Sequence, residues 1–176
     1  MAGTSSTSLI DVVDPETGEP VGTAERAAAL DAGLPVRTVH VFLFDESGRL
    51  LIQELGRARD RHPLLWGSSV AAFPRPGESA LVAARRRTVE ELGVSGSLHQ
   101  VGTVRTVDGR SPKFVTVFEG RADAPRILEP GHVESLRFVT PSELDAALAA
   151  DPSAFTDTFR QVYDWWRRER PQPGAA

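Results

Sequence analysis

Apolar and polar positions along the chain follow two periods. In SLIDVVD, residues 8–14, they alternate as on a strand with one buried face, and DPETGEPVG follows as a Pro/Gly turn. TAERAAALDAG then predicts a short helix with Thr23 at its N-cap and Gly33 just past its end. VRTVHVFLF is nearly all apolar or β-branched, and DESGRL turns it back into RLLIQEL, which predicts a hairpin. A basic loop, GRARDRHPLLW, leads to extended WGSSVAAF, a Pro/Gly turn and a helix ending at Gly93. LHQVGTVRTV, KFVTVFEGRA and ESLRFVT predict three further strands. PSELDAALAAD and SAFTDTFRQVYDWWRRE predict two closing helices, the second capped by Asp151 or Ser153. Phe155, Phe159, Val162 and Trp166 recur there at helical spacing and predict a docking face. The elements make an α/β mixture with no internal repeat and no linker.

Composition adds bounds. With 176 residues, 40% of them hydrophobic and 25% charged, the chain holds material for one substantial core and is short for two. A single domain over residues 9–170 is expected, with 1–8 and 171–176 as flexible termini, because those ends are rich in Ser, Thr, Pro, Gly and charge. A net charge of −4 gives no general pull toward nucleic acid or anionic membrane. No stretch approaches the roughly 18 apolar residues that span a bilayer, and the start lacks a basic segment followed by an apolar one. A cytoplasmic monomer or homodimer that engages neither membrane nor nucleic acid is the resulting expectation. The absence of cysteine excludes disulfides and thiolate chemistry, leaving carboxylates, bases and backbone.

The chemistry concentrates in AAFPRPGESALVAARRRTVEELGV, residues 71–94. Each helical residue turns about 100°, so a side chain at 87 lies within about 60° of both Glu90 and Glu91. Mg²⁺ takes one or two carboxylates together with phosphate oxygens, and a carboxylate at 87 would complete such a set. Position 87 is Arg87. The plain alternative is a solvated last turn in which Glu90 and Glu91 pair with Arg86 and Arg87 at a few tenths of a kcal/mol each. Acids are poorly placed at a helix C-terminus, which argues for a further reason. Arg85, Arg86 and Arg87 span about 200° of the helix, so at least one is solvated.

This stretch resembles the Nudix box, G-x5-E-x7-R-E-U-x-E-E-x-G-U with U aliphatic. Set on Gly93 and Val94, the frame matches Glu78, Arg86, Glu90 and Glu91, and departs at Ala72, Arg87 and Thr88. The likeness runs over roughly residues 9–166 and points to the isopentenyl diphosphate isomerase-like branch, through DVVDPETGEPVGTAERAAALDAGL, VHVFLFDESGRLLIQ and WGSSVAAFPRPGES. In that branch a catalytic cysteine, a glycine and a metal histidine stand where this chain has Ala71, Ala72 and Phe73. A second metal histidine falls on Val36, and later glutamates fall near Ser111 and Lys113. The isomerase's allylic proton transfer is therefore not expected.

The resemblance implies an α/β/α Nudix sandwich, with a mixed sheet between the box helix and the C-terminal helices. It also implies a hydrolase of a small organic diphosphate, nucleoside or prenyl, using Mg²⁺ or Mn²⁺. Glu90 and Glu91 would hold the metal with support from Glu78, and Arg86 would orient them. Arg87, Arg57 and Arg61 of the basic loop and Lys113 are the expected substrate contacts. The alternatives are a metal-independent phosphate-ligand binding protein and a diverged prenyl-diphosphate-processing enzyme. His40 reads as a satisfied core histidine, Trp66 as a core plug, and His99 and His132 show no partners in sequence.

Overall fold

The computed structural model describes residues 8–169, and the expected flexibility of the termini falls outside them except at Ser8. The Ser8 carbonyl accepts a bond from the Arg26 amide at 2.9 Å. Strand β1, Leu9–Val13, pairs antiparallel with β2, Pro20–Glu25. The predicted helix start at Thr23 is thus corrected: Thr23 lies opposite Asp11 in the sheet, and α1 runs Arg26–Asp31 with Glu25 as its cap. Pairing with β1 along one edge holds Pro20–Glu25 extended, so the run of alanines becomes helical only after it.

The remaining strands are β3 (Val36–Phe44), β4 (Leu50–Leu55), β5 (Trp66–Gly67), β6 (Val70–Ala72), β7 (Leu98–Asp108), β8 (Ser111–Arg121) and β9 (Val133–Val139). The hairpin expected of β3 and β4 survives only beside its turn, where Phe44 faces Leu50. Beyond it the strands part. β3 runs parallel to β8 from Val36/Lys113 to Phe44/Arg121 and takes β6 at its other edge, while β4 pairs with β9 and β5. The segment Trp66–Ala72 therefore spans the opening between the two arms of one mixed sheet.

Helix α2, Ala80–Leu92, is capped by the Ser79 hydroxyl and stopped by Gly93 at φ 68°, a conformation a glycine adopts at little cost. It covers the face formed by Val39, Val41, Leu43, Leu51 and Phe118. Thr88 sits on that buried side, with its hydroxyl donating to the Ala84 carbonyl at 2.7 Å. The opposite face, with Phe42, Ile52, Val115 and Val117, receives Leu144 of α3 (Pro141–Ala150). Helix α4, Asp157–Glu169, completes that layer with the predicted docking residues Phe159, Val162 and Trp166. The single helix expected from Ser153 is interrupted. Asp151 caps a 3-10 turn at Pro152–Ala154, Phe155 is extended and bridges to Trp66, and the Thr156 hydroxyl accepts the Phe159 amide. Two caps so close together divide the segment.

Candidate functional site

At the C-terminal end of α2 the carboxylates meet arginines. Arg86 donates to both oxygens of Glu78, at 2.8 and 2.9 Å, and the Arg75 amide adds a bond at 2.8 Å. These bonds, chiefly those from Arg86, hold the Glu78 carboxyl at about 2. They tie the turn before α2 to the helix itself.

Arg87 lies across Glu90 and Glu91. Its guanidinium bonds Glu91 Oε1 at 2.6 and 3.1 Å and Glu90 Oε2 at 2.7 Å, and grips Glu129 through two bonds of 3.2 Å. Burial opposes the charge on Arg87, yet the three carboxylates outweigh it and raise its pKa. Glu129 arrives because the segment before it caps the helix: the amides of Arg126 and Leu128 donate to the carbonyls of Leu92 and Glu91. Glu91 is 0% exposed. Burial alone would raise its pKa, but His132 and Arg87 lower it.

A divalent cation requires carboxylate oxygens free to converge, and here a guanidinium that cannot lose its proton fills their midst. Among the described residues no group of three or more His, Asp and Glu side chains is arranged to hold a metal. Glu78 is committed to Arg86, which also reaches Glu90 Oε2 at 3.3 Å and so interposes a second guanidinium between the carboxylates. The residues present do not fit a full Mg²⁺ or Mn²⁺ centre.

Behind Glu91, Gln53 on β4 donates to Glu91 Oε2 at 3.2 Å and marks the boundary of a cavity in the split of the sheet. Thr38, His40, Leu55 and Phe73 contribute to its lining, and Arg26, Arg59, Arg61 and Lys113 bring four cations against the single carboxylate of Asp108. Three of the cations have acidic partners: Arg26 with Asp60 at 2.9 Å, Arg61 with Asp31 at 3.3 Å and Lys113 with Asp108 at 2.8 Å. Burial lowers the Lys113 pKa, against the pull of Asp108. His62 and then Lys113 hold the Asp108 carboxyl well below its usual range.

Arg59 differs. It donates to Nε2 of His132 at 2.7 Å, while Glu91 Oε1 approaches the same nitrogen at 3.3 Å. A bond from Arg59 needs a lone pair on Nε2 and a bond to Glu91 needs a proton there, so one contact is unfavourable in either state. Arginine only donates and the Glu91 carboxylate only accepts, so the two compete for this one nitrogen. Burial lowers the pKa of Arg59 even though Glu91 lies close. Of the cavity's four cations, Arg59 is the one without an ion pair among the described residues.

A family model of the NUDIX domain matches residues 34–159. The chain belongs to the Nudix family. It is 38% identical over 162 residues to an isopentenyl-diphosphate Delta-isomerase of Nocardia farcinica, covering 88% of this chain and 92% of the relative. An isopentenyl-diphosphate Delta-isomerase of Streptomyces avermitilis is also 38% identical, with 98% and 92% of the two chains covered. The crystal structure of DR0079 from Deinococcus radiodurans superposes with a TM-score of 0.76 at 27% identity, covering 92% of this chain and 99% of that one.

Set on this Nudix framework, the residues expected from sequence divide into two places. Glu78, Arg86, Arg87, Glu90 and Glu91 gather at the end of the box helix, while Arg61 and Lys113 line the cavity. Arg57, expected at the phosphates, is instead 72% exposed beside Glu134, because the turn closed by the Arg59 amide on the Gly56 carbonyl puts residue 57 at its outer corner. Arg87 is not among the cavity's lining residues; its carboxylates hold it at the box. His40 is buried as expected, with Nδ1 2.7 Å from the Ser68 hydroxyl, and it also lines the cavity. His132 has the partners that the sequence did not reveal. Sequence reading also missed Arg26, Gln53, Asp108 and Glu129. Alternation along β3 could have placed Thr38 on the face of His40, but no local pattern marks Glu129 or His132.

Proposed function

We propose that this Nudix-family protein binds a small organic diphosphate in the cationic cavity, with Arg59, Arg61 and Lys113 as phosphate contacts. The box carboxylates then serve as an ion-pair brace rather than a divalent-metal centre. The observation that carries this reading is the Arg87 guanidinium bonded at once to Glu90, Glu91 and Glu129. The four cations around the cavity support an anionic ligand, and guanidinium groups suit phosphate oxygens through paired donors. The similarity to enzymes named for isopentenyl diphosphate supports the diphosphate class. Their cysteine position, occupied here by Ala71, offers no group for allylic proton transfer.

A second reading is Nudix-type hydrolysis with Mg²⁺ or Mn²⁺. It is favoured by Glu90, whose side chain is 35% exposed and meets Arg86 and Arg87 through Oε2 alone. Isothermal titration with inorganic pyrophosphate, ADP, CDP and dimethylallyl diphosphate, in EDTA and in Mg²⁺, separates the two. Metal-free binding reads as equal affinity in EDTA, lost in Arg59→Ala, with no phosphate release in Mg²⁺. Binding that needs Mg²⁺, or phosphate release abolished by Glu90→Gln, overturns it in favour of hydrolysis.

A further inference from the structure

One wall of the cavity is fastened differently from the rest of the fold. Arg59, Arg61 and His62 line the cavity from the segment 57–64, yet no side chain of that segment is buried. Its apolar members, Ala58, Pro63 and Leu64, are all exposed, Leu64 by 41%. The segment is held instead by five polar contacts, each to a group outside it. Arg57 reaches Glu134 at 3.2 Å, Arg59 reaches His132 at 2.7 Å and Asp60 takes Arg26 at 2.9 Å. Arg61 meets Asp31 at 3.3 Å, and His62 meets Asp108 at 3.2 Å.

Contacts of this kind are weak one by one. Exposed ion pairs each shift an equilibrium by no more than about fivefold. The side chains of Asp31 and Asp60, 76% and 55% exposed, are of that kind. The backbone works against the fastenings. His62 and Leu64 hold φ angles of 55° and 63°, which residues with side chains rarely adopt and which persist only where the surroundings impose them. Few buried apolar contacts and solvent-exposed polar fastenings mark a segment that opens before the domain unfolds.

The fastenings also compete with an anionic ligand. Arg26, Arg59 and Arg61 line the cavity and are the donors in three of the five contacts, so an anion bound there draws on the same guanidinium groups. Leu30, Arg61, His62 and Asp108 also line an outer groove with Asp31 and Arg110. This end of the segment therefore stands between the cavity and that groove.

We infer that residues 57–64 form a lid over the cavity, latched in the empty protein by ion pairs to Asp31 and Arg26 and, in the complex, by the ligand's phosphate oxygens on the same arginines. A phosphate that takes up Arg26 and Arg61 exchanges one set of charge-assisted bonds for another, so the lid closes on its ligand at little cost. Opening is a property of the empty chain, whereas closure on a phosphate rests on the diphosphate reading above.

Amide hydrogen exchange, followed residue by residue, tests both halves. The amides of Arg59, Leu64 and Leu65, bonded to the carbonyls of Gly56, Leu55 and His62, report the lid, and those of α2 report the fold. The double substitution Asp31→Asn with Asp60→Asn should speed exchange at the three lid amides by about fivefold and leave α2 unchanged. Salt raised from about 0.1 M to about 1 M should speed them in the native protein and act little on the variant. Saturating inorganic pyrophosphate should slow them in both proteins. Lid exchange unchanged in the variant, a matching rise in α2, or an equal response to salt in both proteins overturns the latch. Pyrophosphate that binds by calorimetry without slowing the lid amides overturns the closure and leaves the diphosphate reading standing. Pyrophosphate that fails to bind overturns that reading and the closure together, while exchange in the empty chain still decides the latch.

Discussion

At the scale of single residues, Arg87 decides the chemistry of the helix end. A carboxylate there would leave four acids around one point, a demand only a cation can meet; the guanidinium is such a cation, built into the helix. Arg87→Glu should therefore lower the thermal midpoint in EDTA, since stripping a buried carboxylate of its partner costs about 3–5 kcal/mol. Mg²⁺ should recover much of that loss in the variant and leave the native chain unmoved. A native midpoint that itself climbs with Mg²⁺ would contradict the brace. His40 offers a second residue-level prediction. Burial, helped by Lys113, lowers its pKa from 6.5 to about 3. A depressed pKa contributes stability that is present above 6.5 and is lost as pH falls from there through about 3, because the unfolded chain takes up the proton first. Urea unfolding across that window should lose at most about 1.4 kcal/mol per pH unit from this residue. His40→Gln should flatten that slope, and parallel pH curves for the two proteins would reject the assignment.

At the scale of elements, the loop from Gly56 to Leu64 turns the sheet's opening into a lined cavity. Positive φ angles at His62 and Leu64 bend it, and the Leu64 amide closes it on the Leu55 carbonyl. Gly56 lets it lie against the 129–132 segment: a Cβ there would come 2.4 Å from the Gly131 carbonyl oxygen. Gly56→Ala should part the two segments, draw Arg59 from His132, destabilise the fold by about 1–3 kcal/mol and weaken pyrophosphate binding. An unchanged pyrophosphate affinity would remove the loop's packing from the account of the site. Much at this scale was legible. The central strands, the box helix with its glycine stop and the start of α3 follow from period and caps. The edge strand β2 and the divided final helix did not, because short polar segments are settled by ladder partners and competing caps rather than by their own period.

At the scale of the whole molecule, a net charge of −4 conceals a cavity lined by four cations and one carboxylate. Pyrophosphate affinity should fall as ionic strength rises from about 0.01 M to about 0.1 M, over which the screening length shrinks from about 30 to about 10 Å. A salt-independent affinity would remove the cations from the binding account. The split of β3 from β4 is also a whole-molecule feature. The hairpin expected from sequence is open because β6 and β5 take the edges of β3 and β4 that would otherwise face each other, and the opening is where the cavity forms.

The sequence by itself determined the α/β pattern, the frame that fits Glu78, Arg86, Glu90 and Glu91, and the misfit of Arg87 within it, since helical spacing alone sets which side chains share a face. Only the tertiary structure decided that Arg87 embraces Glu129 as well, that Arg59 rather than Arg57 turns inward, and that Thr38 and Gln53 meet in one cavity. Those groupings join residues from 15 to 73 positions apart in sequence, and proximities of that kind are set by strand pairing and loop packing, which no local period encodes.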